Sequence, residues 1–421
     1  MRVTVFLNKL GLGGTEKAAC RWARGLRERG HEVAVLTLCD GPRRAELESC
    51  GIETCILPSS AEKIAAGIRA HMPDVIHAHA PGQPHEGDVL GEALARLARI
   101  PVVQTNIFGK FANPREDSWT NFRLFISWTS CVQAARRSYF QLNEKFFRRA
   151  SVAVYPLDPD DGPGSTEITQ FRRAYGVDDD EVLFGRLSRP EANKWIDLPL
   201  ESFRLALLQN PRLKFLLREP PPHIAERLAS APDRDRFLIL EATGDAGELR
   251  RTIASLDVVL HTSSQGESFG YGIAEPMNFG KPVITNSTPW ADQAQVELVR
   301  HGEGGFVVGS TAAMVDAMLT LADDTTMRTK FGLNAQRHVR SVAEPQASLD
   351  RVEGALQAAI TGGANPRISE DLAKAAETAA YLDAHQFGHS MSEQWNLRPF
   401  HYRVRFHEWR KARLFPGRIA P

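Results

Sequence analysis

The segment Ser263-Ser264-Gln265-Gly266-Glu267-Ser268-Phe269-Gly270-Tyr271-Gly272-Ile273-Ala274-Glu275-Pro276-Met277 combines groups that a diphosphate and a vicinal diol require. It follows an apolar run at 257–261 that reads as a strand, and its glycines form a turn before a helix starting near Gly270. Backbone amides at a helix start lack carbonyl partners, and the positive end of the helix dipole favours an anion there. Glu275 falls inside the helix, placed to accept two hydroxyls. A nucleoside diphosphate sugar offers a diphosphate, a ribose diol and a base, so this stretch has a partner for the first two. Glu267 lies in the turn, where an acid can also act as a helix cap.

Other residues invite chemistry with less context. Arg186 ends an apolar strand at 181–187 and points to a loop, where a structural salt bridge is a competing account. His77 and His79 alternate on one strand and share a face, either the packed side of a sheet or the cleft at its end. Gly11-x-Gly13 begins a dinucleotide fingerprint, and Asp40 ends the second strand where a ribose ligand would sit, which raises an NAD(P)-dependent oxidoreductase as an alternative. Against it, Glu16 stands in place of the third glycine and would repel a pyrophosphate.

The chain that positions these residues has 421 amino acids, more than one core usually supports, so two domains and an appendage are expected. Lys plus Arg and Asp plus Glu number 51 each, which excludes a global field that would steer the protein to nucleic acid. Five cysteines, all in the first third and without a Cys-x-x-Cys pair, suit reduced thiols in a cytoplasmic protein better than disulfides or a zinc site. The first apolar run is too short for a signal peptide, and no stretch is long enough to span a bilayer.

Short β-branched runs alternate with amphipathic segments, the pattern of βαβ units feeding a parallel sheet. Strands are expected at 3–7, 32–38, 53–57, 74–78 and 101–105, giving a Rossmann-like domain over 1–155. Residues 156–166 are rich in Pro, Gly and Asp and read as a linker. Strands at 181–187, 213–217, 236–240, 257–261 and 282–285 then build a second Rossmann-like domain over 167–345. Residues 346–421 form a C-terminal helical part expected to pack back on the first domain. Within it, 395–414 is dense in Arg, His and aromatics: either stems on apolar surface with heads in water, or a patch for a membrane surface.

Two acids with seven residues between them around Phe-Gly resemble the E-x7-E signature of retaining glycosyltransferases of family 4, which have the GT-B fold. The resemblance extends along much of the chain. It includes Gly13-Gly14-Thr15-Glu16, Arg27-Glu28-Arg29-Gly30-His31-Glu32-Val33, Pro73-Asp74-Val75-Ile76-His77-Ala78-His79, Gly185-Arg186-Leu187-Ser188 and Gly280-Lys281-Pro282-Val283-Ile284. It implies an α/β protein in which two parallel sheets face a cleft, the second half binding a nucleotide-sugar donor and the first half a glycan or lipid-linked acceptor.

Residue by residue, the resemblance makes Glu267 the acid near the transferred sugar and Glu275 the ribose ligand. Ser268, Phe269, Gly270 and Tyr271 fall on the donor-binding turn, the last three supplying amides near sugar and phosphate. Arg186 and Lys194 resemble the basic pair that neutralises the departing diphosphate, with Arg189 as a rival cation because Lys194 comes eight positions after Arg186. Gly13 and Gly14 let backbone approach the donor across the cleft, and Thr243 is a candidate base contact. The family typically works without a bound metal, so the resemblance implies neither metal nor cofactor, with the nucleoside diphosphate sugar as donor substrate. Asn106 stands where many relatives have a histidine, and an amide cannot act as a base at neutral pH. That departure keeps a non-catalytic nucleotide-sugar-binding protein of the same fold as an alternative, and nucleotide-sugar epimerases, which share the GT-B fold, are a further one that the full E-x7-E context disfavours.

Overall fold

The structure is a computed structural model and describes residues 1–80, 89–97, 99–109, 118–138, 141–191, 194–289 and 291–385. Apolar runs buried on both faces need helices on either side and parallel neighbours, and the chain meets that need twice. The first sheet comprises β1 (Arg2–Lys9), β2 (Glu32–Cys39), β3 (Glu53–Ile56), β4 (Val75–Ala80), β5 (Val102–Asn106), β6 (Phe122–Phe125) and β7 (Ala150–Val152). Their order is β3-β2-β1-β4-β5-β6-β7, all parallel. The second comprises β8 (Val182–Leu187), β9 (Leu213–Arg218), β10 (Phe237–Leu240), β11 (Val258–His261), β12 (Val283–Asn286) and β13 (Gly305–Val308) in the order β10-β9-β8-β11-β12-β13, also parallel. Strand order reverses between β1 and β4 and between β8 and β11, so each sheet has one crevice at the carboxyl ends of its strands.

Three strands escape the hydrophobic pattern. β6, β7 and β13 have four, three and four residues, and β6 carries Arg123, whose Nε donates to Gln104 Oε1 on the neighbouring strand at 2.8 Å. The expected linker region contains no helix or strand from 153 to 164, yet both halves hold it. Arg21 and Tyr271 donate to Pro156 O at 2.6 and 2.9 Å, Leu157 N bonds to Ala343 O, and Asn278 donates to Asp158 O.

Two helices at the end of the described chain lie on the first sheet. Leu349, Val352, Ala355 and Leu356 of helix Pro345–Thr361 join the core that contains Trp22, Phe122 and Phe125. Gly25 makes the crossing possible, since a Cβ there would stand 2.7 Å from Leu349 Cδ2. Helix Ile368–Ala384 is anchored by Asp371, which is 0% exposed and accepts from Arg351 at 2.6 Å, Ser151 at 2.7 Å and Asn365 at 2.7 Å. Asp371→Ala strands these donors, and a loss of about 3 kcal/mol is expected, at the low end for a broken buried pair because Glu370 still meets Arg351. A denaturant midpoint equal to the parent's would contradict that. Residues 395–414, the basic and aromatic segment, lie outside the described residues.

Candidate active site

Helix Tyr271–Asn278 begins at Gly270, whose φ of 101° suits glycine and turns the chain from β11 into the helix. Ile273 and Ala274 donate to Gly270 O at 2.9 Å each, and the amides of Tyr271 and Gly272, first in the helix, have no intrahelical carbonyl to meet. On the near side of this turn Glu267 Oε1 is gripped twice, by His261 Nε2 at 2.8 Å and by Lys194 Nζ. Burial pushes the Glu267 carboxyl up, but the His261 hydrogen bond and the charges of His261 and Lys194 more than reverse this and hold it at about 2. Its backbone amide donates to Gln295 Oε1 at 2.9 Å.

Arg186 ends inside the protein at 1% exposure. Its guanidinium donates to Leu260 O at 3.3 Å, Thr262 Oγ1 at 3.1 Å and Thr262 O at 2.8 Å, and lies 4.7 Å over the Trp195 ring. Burial lowers it to about 9 while Glu267 acts in the opposite direction, so it remains a cation at neutral pH. The arginine thus braces the end of β11 on both sides of His261.

Glu275 projects from the helix into an ion pair with Lys17 Nζ of helix Gly14–Glu28, the first helix of the other domain. Lys17 also stands 4.9 Å from the centroid of Tyr271. Gly14 is equally close, since a Cβ on it would lie 3.0 Å from Tyr271 Cδ2. Gly13 caps this helix without a side chain, and the carboxylate of Glu16 would sit 2.2 Å from a Cβ at that position. Where the dinucleotide reading wants a pyrophosphate, the structure therefore has an acid. Elsewhere between the domains, Ser127 Oγ donates to Ser268 O at 2.8 Å. Glu297 accepts from the amides of Trp128 and Thr129 at 3.3 and 2.7 Å, and burial raises its carboxyl although these bonds act against it.

The structure gathers Arg186, Lys194, Glu267, Phe269, Gly270, Tyr271 and Glu275 around one turn, with Gly13 and Gly14 facing it. Phe269 is buried, its ring 5.7 Å from Tyr155 and 5.1 Å from Tyr271. The Ser268 hydroxyl is directed to Asp292 Oδ2 at 2.6 Å, which leaves the residue's place on the turn to its backbone. Thr243 lies beyond β10, with hydrogen bonds to Glu248 Oε2 at 2.7 Å and from Asp245 N at 3.1 Å. His77 and His79 take the packed side of the first sheet: their rings are 4.6 Å apart, each 5.8 Å from Trp22, and burial lowers both, His77 to about 3. Asn106 is buried at the end of β5. Asp40 is exposed beside Arg44.

Reasoning from the sequence missed His261 and Lys17. The first is visible only as the last residue of a strand, and the second pairs with an acid 258 positions away. Among the described residues no group of three or more His, Cys, Asp or Glu could hold a metal ion, and no helix is long and apolar enough to cross a membrane. The five cysteines are free thiols.

Residues 13–160 match the family described as glycosyl transferase 4-like domain, and residues 180–324 match glycosyl transferases group 1. No curated protein matches the sequence. HepE from Anabaena, solved with UDP and glucose, shares 19% identity over 85% of this chain and 99% of its own, with a TM-score of 0.69. A glycosyltransferase from Rickettsia africae shares 14% over 85% and 98%, with a TM-score of 0.71. WaaG, a glycosyltransferase involved in lipopolysaccharide biosynthesis, shares 16% over 84% and 100%, with a TM-score of 0.62. At these identities the likeness is one of fold, and the fold is GT-B: two α/β domains with parallel sheets, facing each other across a cleft. The two matched segments together span more than two thirds of the sequence, and the chain belongs to the group 1 glycosyltransferases.

Proposed function

We propose that the protein is a retaining hexosyltransferase of family 4 that moves a sugar from a nucleoside diphosphate to a glycan or lipid-linked acceptor. The observation that carries this is the arrangement around one glycine turn. Two carboxylates flank helix-start amides that have no intrahelical carbonyl to meet, Glu267 on the sugar side and Glu275 on the ribose side. When the bond from the anomeric carbon breaks, negative charge grows on the departing diphosphate. Amides of Tyr271 and Gly272, with Lys194 and Arg186, meet that charge in a site where burial strengthens each interaction. Glu267, anionic at neutral pH, stands by the oxocarbenium-like sugar. The diphosphate thus has protein cations in the place of a metal, and no redox cofactor enters the reaction.

HepE, of the same fold, binds UDP and UDP-glucose, which makes a uridine donor the first to try, with Thr243 on the base side. WaaG acts in lipopolysaccharide biosynthesis, which supports an envelope glycan as acceptor. Such an acceptor places the reaction at the cytoplasmic face of a membrane, approached by the first domain and the segment 395–414. Anionic liposomes that leave the protein unbound at physiological salt remove that membrane contact from the reading.

Stereochemistry supplies the test. With an α-linked donor, NMR of the first-formed product is expected to show an α-linkage. A β-linked product contradicts the retaining assignment.

A further inference from the structure

Glu267 is held by more than the lysine the donor site calls for. His261 closes β11 at 4% exposure, and its Nε2 lies 2.8 Å from Glu267 Oε1, the same oxygen that Lys194 grips. Glu267 Oε2 has no hydrogen-bond partner among the described residues. Two donors on one oxygen restrain the carboxylate and leave Oε2 to other partners.

The imidazole is itself fixed. Arg186 donates to the carbonyls of Leu260 and Thr262, on either side of His261. Gly272, second in the helix, forms the floor of the ring: a Cβ there would stand 3.2 Å from His261 Cε1 and 3.3 Å from Nδ1. Those distances are tighter than ordinary contact, so any side chain at 272 pushes on the imidazole. Gly272 has no left-handed φ that would demand glycine for backbone reasons. Space for His261 accounts for it instead.

We propose that His261, seated on Gly272 and braced by Arg186, is a positioning residue that aims Glu267 at the transferred sugar. This rests on the donor-site reading above. His261 touches neither sugar nor nucleotide; it presents Nε2–H to Oε1 so that Oε2 meets a hydroxyl of the donor sugar. The consequence separates sugar from nucleotide: disturbing His261 weakens recognition of the sugar and leaves the nucleoside diphosphate bound as before.

Calorimetric titration with UDP and UDP-glucose, and in parallel with GDP and GDP-mannose and with ADP and ADP-glucose, compares the parent with His261→Ala, His261→Gln and Gly272→Ala. Taking the pair that the parent binds, His261→Ala and Gly272→Ala are expected to cut the ratio Kd(nucleotide)/Kd(nucleotide sugar) roughly tenfold, one bond's worth of aim. In His261→Ala the Kd of the nucleotide alone stays within about twofold. His261→Gln, whose amide can donate to the same oxygen, restores most of the ratio. Gly272→Ala is diagnostic because alanine is the better helix former, so its thermal midpoint should not fall with the ratio. An unchanged ratio in both His261→Ala and Gly272→Ala overturns the proposal, as does an equal loss for nucleotide and nucleotide sugar in His261→Ala. Imidazole NMR of 15N-histidine protein provides a readout independent of the donor: the His261 signal should report the Nε2–H tautomer and move in Glu267→Gln. A signal indifferent to that substitution overturns the contact. If the parent binds none of these pairs while the NMR contact holds, the donor-site reading fails, and the aiming role falls with it.

Discussion

Glu275→Ala raises the Kd for the preferred nucleoside diphosphate by at least about 100-fold, whereas Lys17→Met lowers it by up to about fivefold. The two substitutions break the same ion pair, and the opposite signs follow from what each residue does when donor arrives. In the proposed donor site Glu275 exchanges Lys17 for two ribose hydroxyls, and charge-assisted hydrogen bonds contribute roughly 1.5–3 kcal/mol each. Lys17 loses only a partly exposed pair, with side chains 26% and 24% exposed, and such pairs contribute about 0.2–1 kcal/mol. The larger effect wins, so donor displaces the lysine. Removing the lysine removes a competitor and favours the open cleft that donor must enter. Calorimetry on both variants gives the answer. Equal weakening in both would mean that the pair is structural and the carboxylate has no ligand of its own.

Glu267→Gln is expected to lower turnover of the nucleotide sugar by about 10²–10³-fold while the affinity for the free nucleoside diphosphate changes by less than about threefold. The amide keeps the shape of the side chain and loses its charge. Because the carboxyl is held at about 2 in the folded protein, it is anionic throughout the range in which the enzyme can be assayed. Its protonation therefore produces no acid limb above about pH 3, and any fall in rate near pH 5 belongs to another group. The same depression stabilises the fold above the carboxyl's ordinary value near 4.5, and the contribution is lost as pH falls toward 2. Single-turnover release of nucleoside diphosphate measures the loss; a rate near the parent's removes Glu267 from the chemistry.

These two acids show how unevenly the sequence discloses a site. Glu275 could be read because a strand, a glycine turn and a helix start fix its position locally, and local patterns survive in one dimension. Glu267 was visible as an acid in a turn, but its two partners come from β11 and from a loop 73 positions away. Arg186 was expected to face a loop, since a charged residue at a strand end usually reaches water. The structure instead encloses it, because the carbonyls of Leu260 and Thr262 and the ring of Trp195 replace that water.

The fold was legible to the same degree. The ten expected strands lie at or near their expected positions, while β6, β7 and β13 are recognisable only once their neighbours exist. Residues 156–166 have the composition of a free connection, and composition cannot show that Pro156 O serves residues of both domains. His77 and His79 could be assigned to one face but not to a side of the sheet. Trp22, on a helix far earlier in the chain, decides it.

The central claim is that the turn from Glu267 to Glu275 holds a nucleoside diphosphate sugar. Titration of the parent and of Glu275→Ala with UDP-glucose, GDP-mannose, ADP-glucose and NAD tests it most directly. The expected result is saturable binding of one nucleotide sugar to the parent, lost in the variant, and no binding of NAD. Nucleotide-sugar binding that survives in Glu275→Ala, or a parent that takes up NAD and no nucleotide sugar, would contradict the account.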